Sequence, residues 1–482
     1  MDPFTKIPAE LRLQIFSYLQ SKATLSSILE ASPVMCEQYL EFKSIIIRNL
    51  LEGDFDDGMI QDAMAIILFP SLRKARKSRK SLLLVEEHLN SWEGQELPNP
   101  FVTRDALLMK QLDKLHSLLM MFVEDYITKA KAAFPPREYI CLPQPTHIQS
   151  YLIFKGKKVI KRFDSCHLQE GERRRLLRAF LRVELSSLAY KVLSFTPGNR
   201  ALFGKLARKL TRRRIEGFHC VWTYASSLYG ALFGHCGDAW LPEADAPPET
   251  GLLFPDTLFV DPVKYGRDVG IRSREMEVAV RNMACYVFPL IVRMIRFAAA
   301  RPKDTEPLDS FVKRLCSFEM DHSLRMEDHF IIARFSRGPM CGLSYSQGPA
   351  EPAWWEFLNS QLSCHDTMQI KIFQQRAWPF FDDDRHYPKG TGALSLFPKR
   401  PALLKMERER LDASRALSFS QMERKFEKFR RSQKWHDKIS ARTLMGDREV
   451  SHQRSGIRKN YWHGITGSAL LDEMGHSRVM CS

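Results

Sequence analysis

No stretch of this chain is long and apolar enough to cross a bilayer as a helix. The apolar run from Ala284 to Val292 stops at Arg293, whereas a span needs roughly 20 residues. The first twenty residues carry Asp2, Lys6, Glu10 and Arg12, so the uncharged core of a secretory signal is missing. The ten cysteines are scattered, with no C-x-x-C and no pair closer than Cys220 and Cys236. Together these absences predict reduced thiols and a cytoplasmic or nuclear location. Internal repeats are also lacking. There is no leucine-rich pattern and no Trp-Asp dipeptide at a period of about 40, which excludes the familiar solenoid and propeller binding modules.

Catalytic and metal-binding patterns are equally sparse. Gly342-Leu343-Ser344-Tyr345-Ser346 falls one residue short of a nucleophile elbow, and no strand leads into it. Gly390-Thr391-Gly392 has Ser395 where a dinucleotide fingerprint requires its third glycine. No lysine follows a glycine-rich phosphate loop. His219-Cys220 and His235-Cys236 supply four zinc-type ligands, but their spacing lacks the tight turns that make such ligands converge. Cys364-His365-Asp366 points its side chains in different directions on a helix. Asp382, Asp383 and Asp384 have the oxygens for a divalent cation but read as a solvated acidic turn. The sequence therefore predicts no catalytic residue, no metal and no cofactor, and a protein that is not an enzyme.

What is present is ample. The chain has 482 residues, of which 44% are hydrophobic and 27% charged. That is ordinary globular composition and enough chain for a buried core without disulfide or metal staples. Hydrophobic periodicity is mainly helical. Leu11, Ile15 and Leu19 recur on one face of residues 8–19, with Pro8 suited to the first helical position and Glu10 in the first turn. A second short helix fits 24–31, with Leu25, Ile28 and Leu29 inward, and Ser32-Pro33 breaks it. A third spans about 34–51, with Tyr39, Phe42, Ile46 and Leu50 on one side. Further helices are predicted at 59–69, 71–90, 103–133, 170–194, 201–213, 217–234, 272–300, 308–318 and 354–375. Tyr151–Phe154 and Val159–Phe163 flank Lys155-Gly156-Lys157 as a strand pair. Pro- and Gly-rich punctuation falls at 134–146, 237–262, 337–353 and 386–401.

The formal charge is +16, and it is segmental. Arg73, Lys74, Arg76, Lys77, Arg79 and Lys80 form one cluster. Lys205, Arg208, Lys209, Arg212, Arg213 and Arg214 form a second. The tail from 399 to 460 holds 18 bases against 8 acids, leaving the rest of the chain mildly acidic. In the tail, Phe419, Met422, Phe426 and Phe429 are spaced as an apolar helical stripe, surrounded by Arg424, Lys425, Lys428, Arg430 and Arg431. Such a helix meets an acidic partner, a membrane surface or nucleic acid, or docks on its own domain with a solvated basic rim. The 73–80 cluster reads as a nuclear import signal or as a charged helix face.

The segment Ile7-Pro8-Ala9-Glu10-Leu11-Arg12-Leu13-Gln14-Ile15-Phe16-Ser17-Tyr18-Leu19 resembles the opening of the F-box. Leu25–Leu29 stands as that motif's second helix and Ala31-Ser32-Pro33 as its small-residue break. Two later segments resemble F-box-like proteins abundant in filamentous fungi: Gly171-Glu172-Arg173-Arg174-Arg175-Leu176-Leu177-Arg178-Ala179-Phe180-Leu181-Arg182-Val183-Glu184 and Gln375-Arg376-Ala377-Trp378-Pro379-Phe380-Phe381-Asp382. Periodicity, the distribution of charge and this resemblance together give the expected fold class: a mainly α chain with a three-helix F-box, an irregular helical domain and a basic, partly disordered C-terminal tail. The expected divisions are an F-box-like module at 1–52, a connector at 53–102, a client-binding body at 103–385 and a tail at 386–482. The resemblance also implies a substrate-recognition subunit of a cullin-type ubiquitin ligase, binding a Skp-type adaptor and an unidentified protein client. Physical reasoning runs the same way, because three short helices cannot bury all their apolar faces alone and exposed strips mark partner surfaces. Ile7, Pro8, Leu11, Ile15, Phe16, Leu19, Leu25 and Ile28 are the expected adaptor-binding residues. The alternatives are a helical hairpin packed on the rest of the chain and, for function, a nucleic-acid or chromatin-associated protein using the three basic stretches, with phosphate contacts that weaken in salt.

Overall fold

Ser32 and Pro33 start the helix on which the N-terminal region is built. The Ser32 hydroxyl accepts from the Met35 amide at 3.1 Å, satisfying one of the donors a helix start leaves orphaned. Pro33 occupies the first helical position, where its missing N–H costs nothing. The computed structural model describes residues 2–19, 22–70, 79–132, 138–144, 151–154, 156–193, 212–236, 287–300, 353–363, 367–383, 385–386 and 397–415. Among these are thirteen α-helices and one two-stranded sheet. Numbered in chain order, the helices are α1 (Ala9–Tyr18), α2 (Lys22–Ala31), α3 (Pro33–Asp54), α4 (Asp57–Ile67), α5 (Arg79–Gly94), α6 (Pro100–Thr103) and α7 (Ala106–Ala130). They continue with α8 (Glu170–Leu193), α9 (Arg212–Cys236), α10 (Val287–Ala300), α11 (Ala353–Gln361), α12 (Thr367–Gln375) and α13 (Arg400–Arg415). The mainly α expectation holds.

Several boundaries differ from the periodicity reading. The third helix runs three residues past Leu51, because Asp54 is held in the interior and the next cap falls at Asp56. The helix expected at 103–133 starts at Ala106, where the Asp105 carboxylate accepts from the Leu107 and Leu108 amides. Before it, Arg104 takes a left-handed conformation that ends α6. The helix expected over 354–375 is described as two, α11 and α12. The strand pair forms as β1 (Tyr151–Phe154) and β2 (Lys157–Lys161), antiparallel, with Gly156 at φ +85° in the turn, a conformation that favours glycine. Helix α13 opens one residue before the end of the punctuation at 386–401 and was not anticipated. The helix expected at 308–318, most of that at 201–213 and the apolar stripe at 419–429 lie outside the described residues.

Two cores organise the helices. A small one joins Phe16, Leu25, Met35 and Ile46, with Leu13, Ile15, Leu19, Ile28, Tyr39 and Phe42 packed around it. The large one takes Leu51 from α3, Met59 and Met64 from α4, Phe122 and Tyr126 from α7, Leu177 and Phe180 from α8, and Val221 and Leu228 from α9. It also includes Phe397 and Leu403. The large core thus draws residues from within each of the stretches 1–52, 53–102, 103–385 and 386–482. Helix α3 belongs to both cores, with a non-helical residue, Phe42, at a kink between its halves.

Candidate interaction surface and the buried charge network

The structure splits the expected adaptor-binding residues into two groups. Phe16 and Leu25 are buried in the small core, and Ile15, Leu19 and Ile28 are half-buried against it. Their periodicity marks the inward face of the module itself. Ile7 is half-buried and Pro8 exposed. Pro8 precedes the first helical residue and caps α1, its carbonyl accepting from the Arg12 amide at 3.1 Å. Leu11 remains 49% exposed and Tyr18 82% exposed. Seven residues apart, they lie on one face of α1. Leu40 and Ile45 on α3 are also exposed. Tyr18, Leu40 and Ile45 escaped the sequence reading. The i+7 spacing from Leu11 was the available signal for Tyr18.

The basic clusters are only marginally in view. Arg73, Lys74, Arg76, Lys77, Lys205, Arg208, Arg424, Lys425, Lys428, Arg430 and Arg431 lie outside the described residues. Arg212 and Arg213 are placed by backbone alone at the start of α9, and Arg214 beside them is exposed.

A different set of bases turns out to be structural. The arginines of α8 are engaged one after another. Arg174 pairs with Glu170 at 2.6 Å, Arg175 with Asp382 at 2.6 Å and Arg182 with Asp62 at 2.6 Å. Arg173 pairs with Asp54 and Arg178 with Asp56. Asp54 also meets His116 Nε2 at 2.7 Å. Burial raises the Asp54 carboxyl, but His116 and Arg173 more than offset this and hold it below its ordinary value. Asp62 goes the other way. Burial pushes its carboxyl up and outweighs Arg182 and the Trp92 indole, which donates to it at 2.8 Å. Deeper in α7, Lys129 pairs with Asp125 at 2.7 Å and donates to the Cys141 carbonyl at 2.8 Å. The Tyr224 hydroxyl donates to the same Asp125 at 2.6 Å.

The two segments that carry the later resemblance meet each other. Arg175 of α8 reaches both the Phe380 carbonyl, at 2.8 Å, and Asp382. Glu172 accepts from the Gln169 amide at 2.9 Å and the Asp382 amide at 3.2 Å, and pairs with Arg385 and His386. Tyr139 donates to the Gln375 carbonyl at 2.6 Å, and Arg376 Nη1 to the Ala130 and Ala132 carbonyls at 3.1 and 3.0 Å. A run of polar backbone is thus satisfied inside the core by side chains more than 200 residues away in sequence, which buried polar groups require.

Glu172 makes this junction acid-sensitive. Burial raises its carboxyl, but His386, the two amides and Arg385 prevail and bring it down to about 2. Its unfolded value lies near 4.5. The folded state therefore binds the proton more weakly. Its contribution is complete above the unfolded value and is lost as pH falls through the folded one. We expect thermal stability of the wild type to fall more steeply than that of Glu172→Gln between about pH 4.5 and 2. Parallel melting curves for the two proteins would contradict this.

Only some of the candidate metal and catalytic groups fall among the described residues. His219 and Cys220 are buried on α9. Burial pushes the His219 imidazole down to about 4 and the Cys220 thiol up. The side chains of His235 and Cys236, together with 342–346, 364–366, Asp384 and 390–395, lie outside the described residues. Asp382 is engaged by Arg175, and Asp383 by Arg385. Among the described residues, no group of three or more His, Cys, Asp or Glu side chains is arranged to hold a metal, and no helix is long and apolar enough to cross a membrane. No family model, curated protein or solved structure matches the chain.

Proposed function

We propose that this chain is a non-enzymatic protein-binding subunit that resembles an F-box protein. In this reading its N-terminal helices dock on a Skp-type adaptor of a cullin ubiquitin ligase, and the helical body receives a protein client. The observation that carries the reading is the α1 surface. Leu11 and Tyr18 stay exposed on one face of α1, while Phe16, Leu25, Met35 and Ile46 close the module's own core. Exposed apolar residues grouped on one face mark partner surfaces, and aromatic side chains are frequent anchors in interfaces. The nucleic-acid alternative rests on basic stretches of which the side chains of Arg214 and, in the tail, Lys399, Arg400, Lys405 and Arg408 are described and exposed; the grouped apolar residues of α1 favour the protein-binding reading.

The test is co-purification of the full chain with a Skp-type adaptor. Leu11→Asp with Tyr18→Asp is expected to weaken capture more than tenfold, the effect of losing one or two interface anchors, while the thermal melt is unchanged. Ile15 is unsuitable for this purpose, because it packs against the small core and its replacement would unfold the module. Equal capture by wild type and double variant, or no capture by wild type, would overturn the reading.

A further inference from the structure

The N-terminal helices and the body are held by different means. Phe16, Leu25, Met35 and Ile46 form a core of their own, whereas the body's core begins at Leu51. Helices α1 and α2 and residues Pro3–Lys6 pack on α3, and α3 in turn packs on α7 and α8. Four buried apolar side chains make a weak core, since surface dominates in so small a unit. Polar bonds complete it. The Asp2 carboxylate accepts from the Phe4 amide at 2.9 Å, the Ser32 hydroxyl at 2.6 Å and the Val34 amide at 3.4 Å. Gln38 Nε2 donates to the Ala9 carbonyl at 2.5 Å. The far half of α3 is fastened independently, through Leu51 in the large core, Arg48 Nη2 on the Phe101 carbonyl at 3.2 Å, and Asp54 between Arg173 and His116.

We propose that α1 and α2 open away from α3 as one cooperative unit while residues 47–54 of α3 and the body stay folded. Proteins open in contiguous units whose free energies range from near zero to that of global unfolding. Here the boundary between units falls inside a helix, between Ile46 of the small core and Leu51 of the large one. Opening bares Met35 and Ile46 on α3 along with Phe16 and Leu25, an apolar surface that the closed state hides. The inference concerns the free chain and does not depend on the identity of any partner.

Hydrogen exchange by mass spectrometry on the full chain tests it. Peptides covering 9–31 are expected to exchange together and much faster than those from α7 and α8, with peptides over 47–54 protected like the body. Gln38→Ala should speed exchange over 9–31 roughly fivefold, the factor given by losing one hydrogen bond of ~1 kcal/mol, and leave α7 and α8 unchanged. Leu25→Ala should have a larger effect confined to the same peptides. If 9–31 exchanges as slowly as α8, or if Gln38→Ala accelerates α8 equally, the two regions unfold as one and the proposal fails.

Discussion

Arg173→Met is expected to cost ~3–5 kcal/mol of stability, because it strips the buried Asp54 carboxylate of its arginine partner. Asp54 and Arg173 are both buried, and His116 is the only other side chain bonded to the carboxylate among the described residues. Two buried charges repay their desolvation only together. Removing one leaves the other in a medium that solvates it poorly. Arg173→Met combined with Asp54→Leu should therefore recover most of the loss, since apolar pairs of similar volume commonly match a buried ion pair. The remaining deficit would reflect His116, left without its acceptor. Chemical denaturation of the two single variants and the double variant supplies the cycle. A single variant costing less than about 1 kcal/mol, the range of surface pairs, would show that the pair is not buried as described.

Trp378→Ala is the second large effect, again ~3–5 kcal/mol, the usual cost of emptying an aromatic site in a core. Trp378 is fully buried, stacked on Trp355 at 5.5 Å and edge-on to Phe373 at 6.1 Å. It sits just after Ala377, whose φ of 56° turns the chain out of α12. Its indole N–H finds no acceptor among the described residues. Trp378→Phe should consequently cost much less than the lost volume alone implies, because it also removes a buried donor that stability had to carry. Equal losses for Ala and Phe would indicate that the N–H is satisfied and matters. Both variants are read by chemical denaturation, and the Ala variant should also show altered tryptophan fluorescence through Trp355.

Much of the helical layout was legible because it follows from local rules. Leu176, Leu177, Phe180, Leu181 and Leu185 repeat at helical spacing and are all buried in α8. Ser32-Pro33 stops one helix and caps the next. The turn between β1 and β2 needed a residue comfortable at positive φ, and Gly156 supplies it. The proposed interaction face was only half legible. Spacing identified α1 as amphipathic, but it did not distinguish residues that close the module's own core, such as Phe16, from those left outside, such as Tyr18. That distinction depends on where α2 and α3 come to lie.

The sequence by itself determined that this is a mainly helical chain with a short three-helix start, a hairpin, and positive charge gathered in segments. Those properties reside in periodicity, capping residues and composition, each set by neighbours a few positions apart. Only the tertiary structure decided what the arginines of α8 do. Read locally, Arg173, Arg178 and Arg182 form the polar side of an amphipathic helix. In the fold they face Asp54, Asp56 and Asp62, more than a hundred residues earlier. Only the tertiary structure also brought Gln375–Asp382 into the centre of the body, where Tyr139 and Arg175 satisfy its carbonyls. A buried charge and an inward carbonyl are tolerable only beside a partner. That partner lies far along the chain, and no local pattern reveals it.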